Sequence, residues 1–424
     1  MYFVPLIVTP ILSRLFSPEA FGEWGIFSSV INIVGVGMFL GYENAIVKAG
    51  SESDSINICV LCLLLAFGII CVLGLLFLLG CFFQIRFITE FPYAELLFIY
   101  LLFYIFYIVL YNYANRRECY NTLAVSHIVS GLSQASFRIF FGIISLTFFN
   151  GLILGTTFAL MINVPFLLFC LRNKLNFHFY KNINCNDIFS LAKRYKRFPI
   201  FDAPGSIMAF AAFQAPTIIL VFFFSKSVIG CFSIVIQLLL MPMSFIGSAM
   251  SKVYYQQLCI VQDNIDEISK VTYKVIKTVC IISIIPLLFL AIGGDKLIAL
   301  FLGNKWSTTG DVALCLALWS FPTALTEPLI PLYRTLDKQK TLLFFHTLYF
   351  IGGIGSVIIG CLISHNLYCI LLTFSTICFF VKFAMFFNLS KLAKINRKNI
   401  CKLIFTIWGI SVFVLFVRIY YLFI

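Results

Sequence analysis

The sequence predicts an all-α integral membrane protein with about twelve transmembrane helices in two pseudo-symmetric six-helix lobes. Three observations predict it. First, of 424 residues 61% are hydrophobic, 17% aromatic and only 11% charged, with a mean hydropathy of +1.02, far from the composition of a water-soluble domain. About 259 apolar residues at ~20 per crossing supply on the order of twelve helices and leave no room for a large extramembranous domain. Second, the basic residues segregate. With the even-numbered connections taken as cytoplasmic, those connections hold 22 lysines and arginines against six on the opposite side, which sets the N-terminus inside. The formal charge of +13 is therefore a topology signal and not a nucleic-acid footprint. Third, sliding the chain by 208 residues sets Ser17-Pro-Glu-Ala-Phe-Gly22 on Ser225-Lys-Ser-Val-Ile-Gly230, and Phe16 and Ile26 on Phe224 and Ile234. Both segments join two apolar spans, as expected of parallel repeats.

In chain order, the first span, 1–13, carries no basic residue before Arg14, so no secretory signal is expected and the helix is retained. About 17 residues before Pro18 reach only ~26 Å against a ~30 Å core, which leaves open a start upstream of Met1. The second span, 21–42, sets Gly25, Ser28, Asn32, Gly35 and Glu43 on one face, either a cavity wall or a close-packing surface. The third, 57–80, contains Cys59 and Cys62. No second pair or histidine ligand lies near in sequence, and the fifteen cysteines sit almost wholly in apolar spans or on the reducing side, so packing is expected and neither metal nor cofactor.

The fourth span is 95–113 and the fifth 123–147. In the fifth, His127, Ser130, Gln134, Arg138, Gly142 and Ser145 follow spacings of 3, 4, 4, 4 and 3, which keeps them within about 60° of one line at helical period. Interhelical glue explains Ser130 and Gln134. A fixed guanidinium in hydrocarbon requires an anion or water, so Arg138 is expected to line a hydrated cavity. The sixth span, 151–171, closes the N-terminal lobe, 1–171, and a basic cytoplasmic linker, 172–200, leads to the C-terminal lobe, 201–389.

The seventh span, 201–224, begins at Asp202 beside Pro204 and Gly205; the eighth and ninth are 229–250 and 273–293. The tenth, 312–332, sets Thr326 and Glu327 among Pro322, Pro328 and Pro331, prolines that interrupt a helix and free carbonyls as at many transporter sites. Glu327 is a candidate carrier of a coupling proton, or it pairs with Arg334 or Lys338. The eleventh span is 343–363, and the twelfth, 368–389, holds Lys382, a cavity residue or one that snorkels to an interface. In the basic and apolar remainder, 390–424, the stretch Leu403 to Ile424 is either a thirteenth crossing or an interfacial helix anchored by Arg418, Tyr420 and Tyr421.

No phosphate-binding loop, dinucleotide fingerprint or nucleophile elbow occurs, so an enzyme or an ATP-driven pump is not expected. Energy is expected from an ion gradient or the membrane potential, with Glu327, Glu43 and Asp202 as coupling candidates.

Particular strings then add a family. Pro10-Ile-Leu-Ser-Arg-Leu-Phe-Ser-Pro-Glu-Ala-Phe-Gly22, Gly41-Tyr-Glu-Asn-Ala-Ile46, Tyr195-Lys-Arg-Phe-Pro199, Gly247-Ser-Ala-Met-Ser-Lys-Val-Tyr-Tyr-Gln256 and Gly303-Asn-Lys-Trp306 resemble the oligosaccharide flippases of the Wzx type, within the multidrug/oligosaccharidyl-lipid/polysaccharide exporter superfamily. The resemblance runs over almost the whole chain, in order. It implies two six-helix lobes around a central cavity that move undecaprenyl-diphosphate-linked O-antigen units from the inner to the outer leaflet of the bacterial inner membrane. A lipid diphosphate needs fixed positive charge, for which Arg138 and Arg14 are candidates, with Gln134, His127, Asn32 and Lys382 as further substrate-binding residues. Expected partners are the lipid-linked oligosaccharide and membrane lipids, with an O-antigen polymerase and a chain-length regulator beside them, and no nucleic acid. A drug or small-metabolite antiporter of the same superfamily would share the topology but enclose a tighter, more acidic cavity. A polymerase would need a longer outer catalytic loop than the 18 residues of Gly294 to Asp311.

Overall fold

The computed structural model describes residues 3–144, 148–172, 185–261, 264–364 and 366–422, and among these no strand occurs. Ser145 and the first part of the basic stretch after Arg172, 173–184 with Lys174 and Lys181, lie outside the described residues. The helices α1 (Phe3–Leu15) and α2 (Pro18–Gly37) precede a short α3 (Glu43–Lys48), a long α4 (Glu52–Phe82) and a single turn α5 (Arg86–Thr89). Then come α6 (Ala94–Arg116), α7 (Tyr120–Ile144), α8 (Gly151–Leu171), α9 (Cys185–Arg194) and a π-helical turn, Phe198–Asp202, leading into α10 (Ala203–Leu220). The remainder is α11 (Lys226–Val261), α12 (Ile265–Ile292), α13 (Gly294–Leu302), α14 (Thr309–Thr326), α15 (Pro331–Thr335), α16 (Gln339–Ile363), α17 (Leu367–Leu392) and α18 (Arg397–Leu422).

Nine helical stretches among the described residues are long and apolar enough to cross a membrane: α2, α4, α6, α7, α8, the π turn with α10, α14 through α15, α16 and α17. The other three expected spans coincide with α1, α11 and α12. Starts are set by short polar side chains that take up orphan amides: Ser51 Oγ accepts from the Asp54 N–H at 3.0 Å, and Asn150 and Asn366 accept from Leu152 and Tyr368, both at 2.9 Å. In the tenth span the prolines act as expected. Pro322 lies inside α14, and Pro328 and Pro331 divide its continuation into a 3₁₀ turn, Glu327–Leu329, and α15.

The chain falls into two compact units. One holds Phe3–Phe16 and Glu23–Phe210, the other Ser17–Gly22 and Ala211–Ile424. In the first, α7 packs along α8 and α1, and α6 packs on α8 and α4, around a core that includes Phe27, Phe39, Leu101, Ile105, Tyr113 and Ile153. Cys59 and Cys62 are buried in that core as free thiols. The second part of the basic stretch belongs to this unit. Helix α9 packs on α4, Tyr42 donates to the Ala192 carbonyl at 3.0 Å and Tyr195 to the Lys48 carbonyl at 3.3 Å. Arg116 binds the end of α3 by donating to the carbonyls of Ile46, Val47, Ala49 and Ser51, and Arg117 pairs with Glu52.

In the second unit α14 is the most enclosed helix, surrounded by α11, α12, α13, α17 and α18. Helix α18 packs along α12. Trp408 Nε1 donates to the Cys280 carbonyl at 3.0 Å and Arg418 Nη1 to the Leu290 carbonyl at 2.6 Å. Both pairs are 128 residues apart, so α18 runs parallel to α12, in step with it for at least ten residues.

The second unit also contains both halves of the internal repeat. A Cβ on Gly22 would fall on the Lys226 carbonyl, and one on Gly230 would fall on the Pro18 carbonyl. An offset of 208 carries 18 to 226 and 22 to 230, so each contact maps onto the other. The two matching segments cross about a local two-fold. Phe21, which precedes the crossing glycine, packs edge-on to the fully buried Trp306 at 5.1 Å, and this gives the Gly-Asn-Lys-Trp string its structural role.

Candidate functional site

Arg138 lies in the last two turns of α7, six residues before its end at Ile144, and is 5% exposed. Its neighbours come from three other helices of the first unit. On α8, Thr156 Oγ1 accepts from Arg138 Nη2 at 2.8 Å while donating to the Leu152 carbonyl at 2.7 Å. From α2, the Trp24 ring covers the guanidinium at 4.8 Å, a cation–π contact strengthened by desolvation. On α6, Tyr100 lies within electrostatic reach. Gly155 lets α8 come this close, since a Cβ there would sit 2.6 Å from Arg138 Cγ. No carboxylate pairs with Arg138 among the described residues, and its Nε is buried without a hydrogen-bond partner. Arginine cannot shed this charge by deprotonation, so the site is a permanently cationic pocket with a donor to spare.

The polar stripe predicted on the fifth span is in part a packing face. Gly142 abuts Leu15 and Phe16 and is buried, Ser130 and Gln134 are half-buried, and His127 Nε2 lies 3.3 Å from the Tyr111 hydroxyl on α6. Arg14, at the end of α1, and Asn32, on α2, are exposed, and no contact joins them to Arg138 among the described residues. Arg138 is enclosed by Trp24, Thr156 and its own helix, and a described cavity opens farther along α6.

That cavity, of about 310 Å³, is lined by Glu43, Tyr104, Tyr111, Asn112, Asp202 and Ser206 among others. It joins two coupling candidates that the sequence separates by 159 positions. Glu43 Oε1 accepts from Asn44 Nδ2 at 3.4 Å, whereas Oε2 is buried with no partner. Burial, with repulsion from Asp202, pushes the Glu43 carboxyl up to about 7.

The second unit treats its buried cation differently. Lys382 on α17 is 5% exposed and donates to Glu327 Oε1 at 2.8 Å, beneath the Tyr349 ring at 4.7 Å. Tyr349 accepts from Trp319 Nε1 at 2.9 Å, and the Trp319 amide donates to Ser375 on α17 at 2.9 Å. The two residues proposed separately from the sequence therefore form one ion pair, and the alternative partners Arg334 and Lys338 are displaced by a lysine 55 positions away. The sequence analysis missed Trp24, Thr156 and the tyrosines. The tyrosines carry a signal: Tyr100, Tyr104, Tyr107 and Tyr111 recur at spacings of 4, 3 and 4 along the fourth span, which sets them on one helix face.

Residues 11–310 match the family model described as polysaccharide biosynthesis protein. No curated protein matches the sequence. Among solved structures, an inward-facing multidrug resistance MATE family transporter of the MOP superfamily aligns with a TM-score of 0.69 at 14% identity, covering 93% of this chain and 96% of its own. The lipid II flippase MurJ, in an inward closed conformation, aligns with a TM-score of 0.63 at 15% identity, covering 98% and 91%. At such identities the likeness is one of fold. The chain is thus a multi-pass membrane protein with the helical fold of the MOP superfamily transporters, and it belongs to the polysaccharide biosynthesis protein family.

Proposed function

We propose that this protein is a flippase carrying an undecaprenyl-diphosphate-linked oligosaccharide, the O-antigen repeat unit, across the bacterial inner membrane by alternating access, with its N-terminus in the cytoplasm. One observation carries the reading. Arg138 is a buried cation within the fifth span, about a turn and a half from the end of α7, with no carboxylate beside it among the described residues and an unused Nε donor. A guanidinium inside an apolar span opposes insertion unless it is partnered, and its planar fork suits an anionic diphosphate. The family match and the fold shared with a lipid II flippase agree with it. The protein performs no covalent chemistry in this scheme. Its energy comes from an ion gradient or the membrane potential, with Glu327, Glu43 and Asp202 as the titratable groups that respond.

The test is complementation of a gene deletion. Arg138→Ala should leave the protein in the membrane and abolish surface polysaccharide on lipopolysaccharide gels, while Arg138→Lys retains part of it. Normal polysaccharide in the alanine variant would remove this reading. The acid-lined cavity between Glu43 and Asp202 favours one competitor, a drug or small-metabolite antiporter. That reading predicts that expression raises resistance to toxic organic cations and leaves surface polysaccharide unaffected by deletion.

A further inference from the structure

We infer that the cavity beside α6 in the first unit is a sugar-binding subsite, holding the oligosaccharide of the substrate while its diphosphate is drawn to Arg138. The inference rests on the flippase reading and assigns that site a second part.

Chemistry is the first support. A sugar ring presents hydroxyls that donate and accept in several directions, together with C–H faces that lie against aromatic rings. The cavity offers both. Tyr104 and Tyr111 contribute rings, and Glu43 and Asp202 contribute carboxylates that act as strong acceptors. Ser206 contributes a hydroxyl that donates or accepts. Asn112 Nδ2 is engaged by the Ile108 carbonyl at 3.0 Å, which fixes the amide and leaves Oδ1 to accept. A volume of about 310 Å³ stands at the lower end of ligand pockets in general. A site built for an organic cation would gather carboxylates and rings without amides and hydroxyls interleaved.

Placement is the second. The tyrosine stripe links the cavity to Arg138. Tyr100, within electrostatic reach of Arg138, stacks on Tyr104 with centroids 6.0 Å apart and planes 19° from parallel, and Tyr107 leans on Tyr111 at 5.9 Å. From Tyr100 to Tyr111 the helix rises ~16 Å, the span of a short oligosaccharide. The stripe runs toward the end of α6 that carries Arg116 and Arg117, on the side where the basic connections lie and where the substrate would be loaded.

The test uses the full-length protein in lipid nanodiscs and two probes: synthetic undecaprenyl diphosphate, and the lipid-linked oligosaccharide fraction extracted from host cells that lack this protein. The sugar-bearing fraction should bind about tenfold or more tightly than the bare lipid, the scale of one or two hydrogen bonds to charged groups. Asn112→Ala and Asp202→Asn should each erase that gain and leave affinity for the bare lipid unchanged, whereas Arg138→Ala weakens both probes. Should Asn112→Ala fail to fold, the isosteric Asp202→Asn carries the test alone. Equal binding of the two probes, or a sugar gain that survives both substitutions, overturns the subsite and leaves the flippase reading standing. Failure of wild-type protein to bind either probe removes the flippase reading and the subsite together. Binding of tetraphenylphosphonium that depends on Asp202, without any sugar gain, gives the cavity to cations instead.

Discussion

Arg138 and Lys382 are both basic side chains set well inside spans, and both are 5% exposed, yet the two units handle them in opposite ways. Lys382 meets a carboxylate at 2.8 Å, so its charge is neutralised within the protein. Arg138 meets a hydroxyl and an indole face, which orient the guanidinium and leave its charge intact. A paired lysine holds helices together, whereas an unpaired arginine is available to something that is not protein. The difference also explains the choice of residue, because a lysine in such a site can discharge by losing its proton and an arginine cannot.

The largest effect is expected where the charge is uncompensated. Arg138→Ala strands no carboxylate among the described residues, so its melting temperature should stay within a few degrees of wild type while flipping of lipid-linked oligosaccharide in proteoliposomes falls below detection. A variant that unfolds instead would make Arg138 a structural residue like Lys382. Next comes the reverse experiment. Lys382→Met leaves Glu327 without its partner at 2.8 Å, and the cost should be about 1–3 kcal/mol. It should appear as a lowered melting temperature, most of it restored in the double variant Lys382→Met with Glu327→Gln. Additive losses in that double variant would dissolve the pair as an energetic unit.

A smaller effect should follow Thr156→Val, which keeps the shape beside Arg138 and removes its acceptor. Transport should drop about tenfold or more, in line with one hydrogen bond to a charged group, with little change in melting temperature; full activity would mean that Trp24 alone orients the guanidinium. The smallest concerns Glu43, an acid with neither type of partner, faced by Asp202, Cys62 and Tyr104. Its folded pKa, raised from 4.5 to about 7, means that burial favours the protonated form. The associated stability is present below about 4.5 and is lost as pH rises through about 7. Glu43→Gln should flatten the decline in melting temperature between pH 5 and about 8, and an unchanged profile would assign that decline to other groups.

Much of the molecule was legible from residue order because hydropathy and charge act locally. Apolar runs bounded by basic clusters located the helices, and Pro322, Pro328 and Pro331 marked where α14 breaks. Arg138 stood out for the same reason, as a charge in an apolar run. Partnership was less legible. Glu327 has Arg334 and Lys338 within a few turns, and only the packing of α14 on α17 brings Lys382 closer. Glu43 and Asp202 meet because the π turn before α10 folds back beside α3 in the first unit, a long-range event with no local signature. Trp24 and the tyrosines carry little signal in the sequence because aromatic residues in membrane spans are plentiful, here fifty phenylalanines and nineteen tyrosines, and a shared helix face gains meaning only from what packs against it.

The mirrored glycines at 22 and 230 carry a consequence for how the gene tolerates change. Each hydrogen faces a carbonyl that belongs to the other copy of the motif, so one extra methyl on either copy pries apart the same joint. Alanine at position 22 and alanine at position 230 should therefore be near-equivalent lesions, and combining them should cost much less than twice one alone, since the joint is already sprung. An ancestral duplication would in this way have left a mark that mutagenesis can read: two distant codons behaving as a single locus.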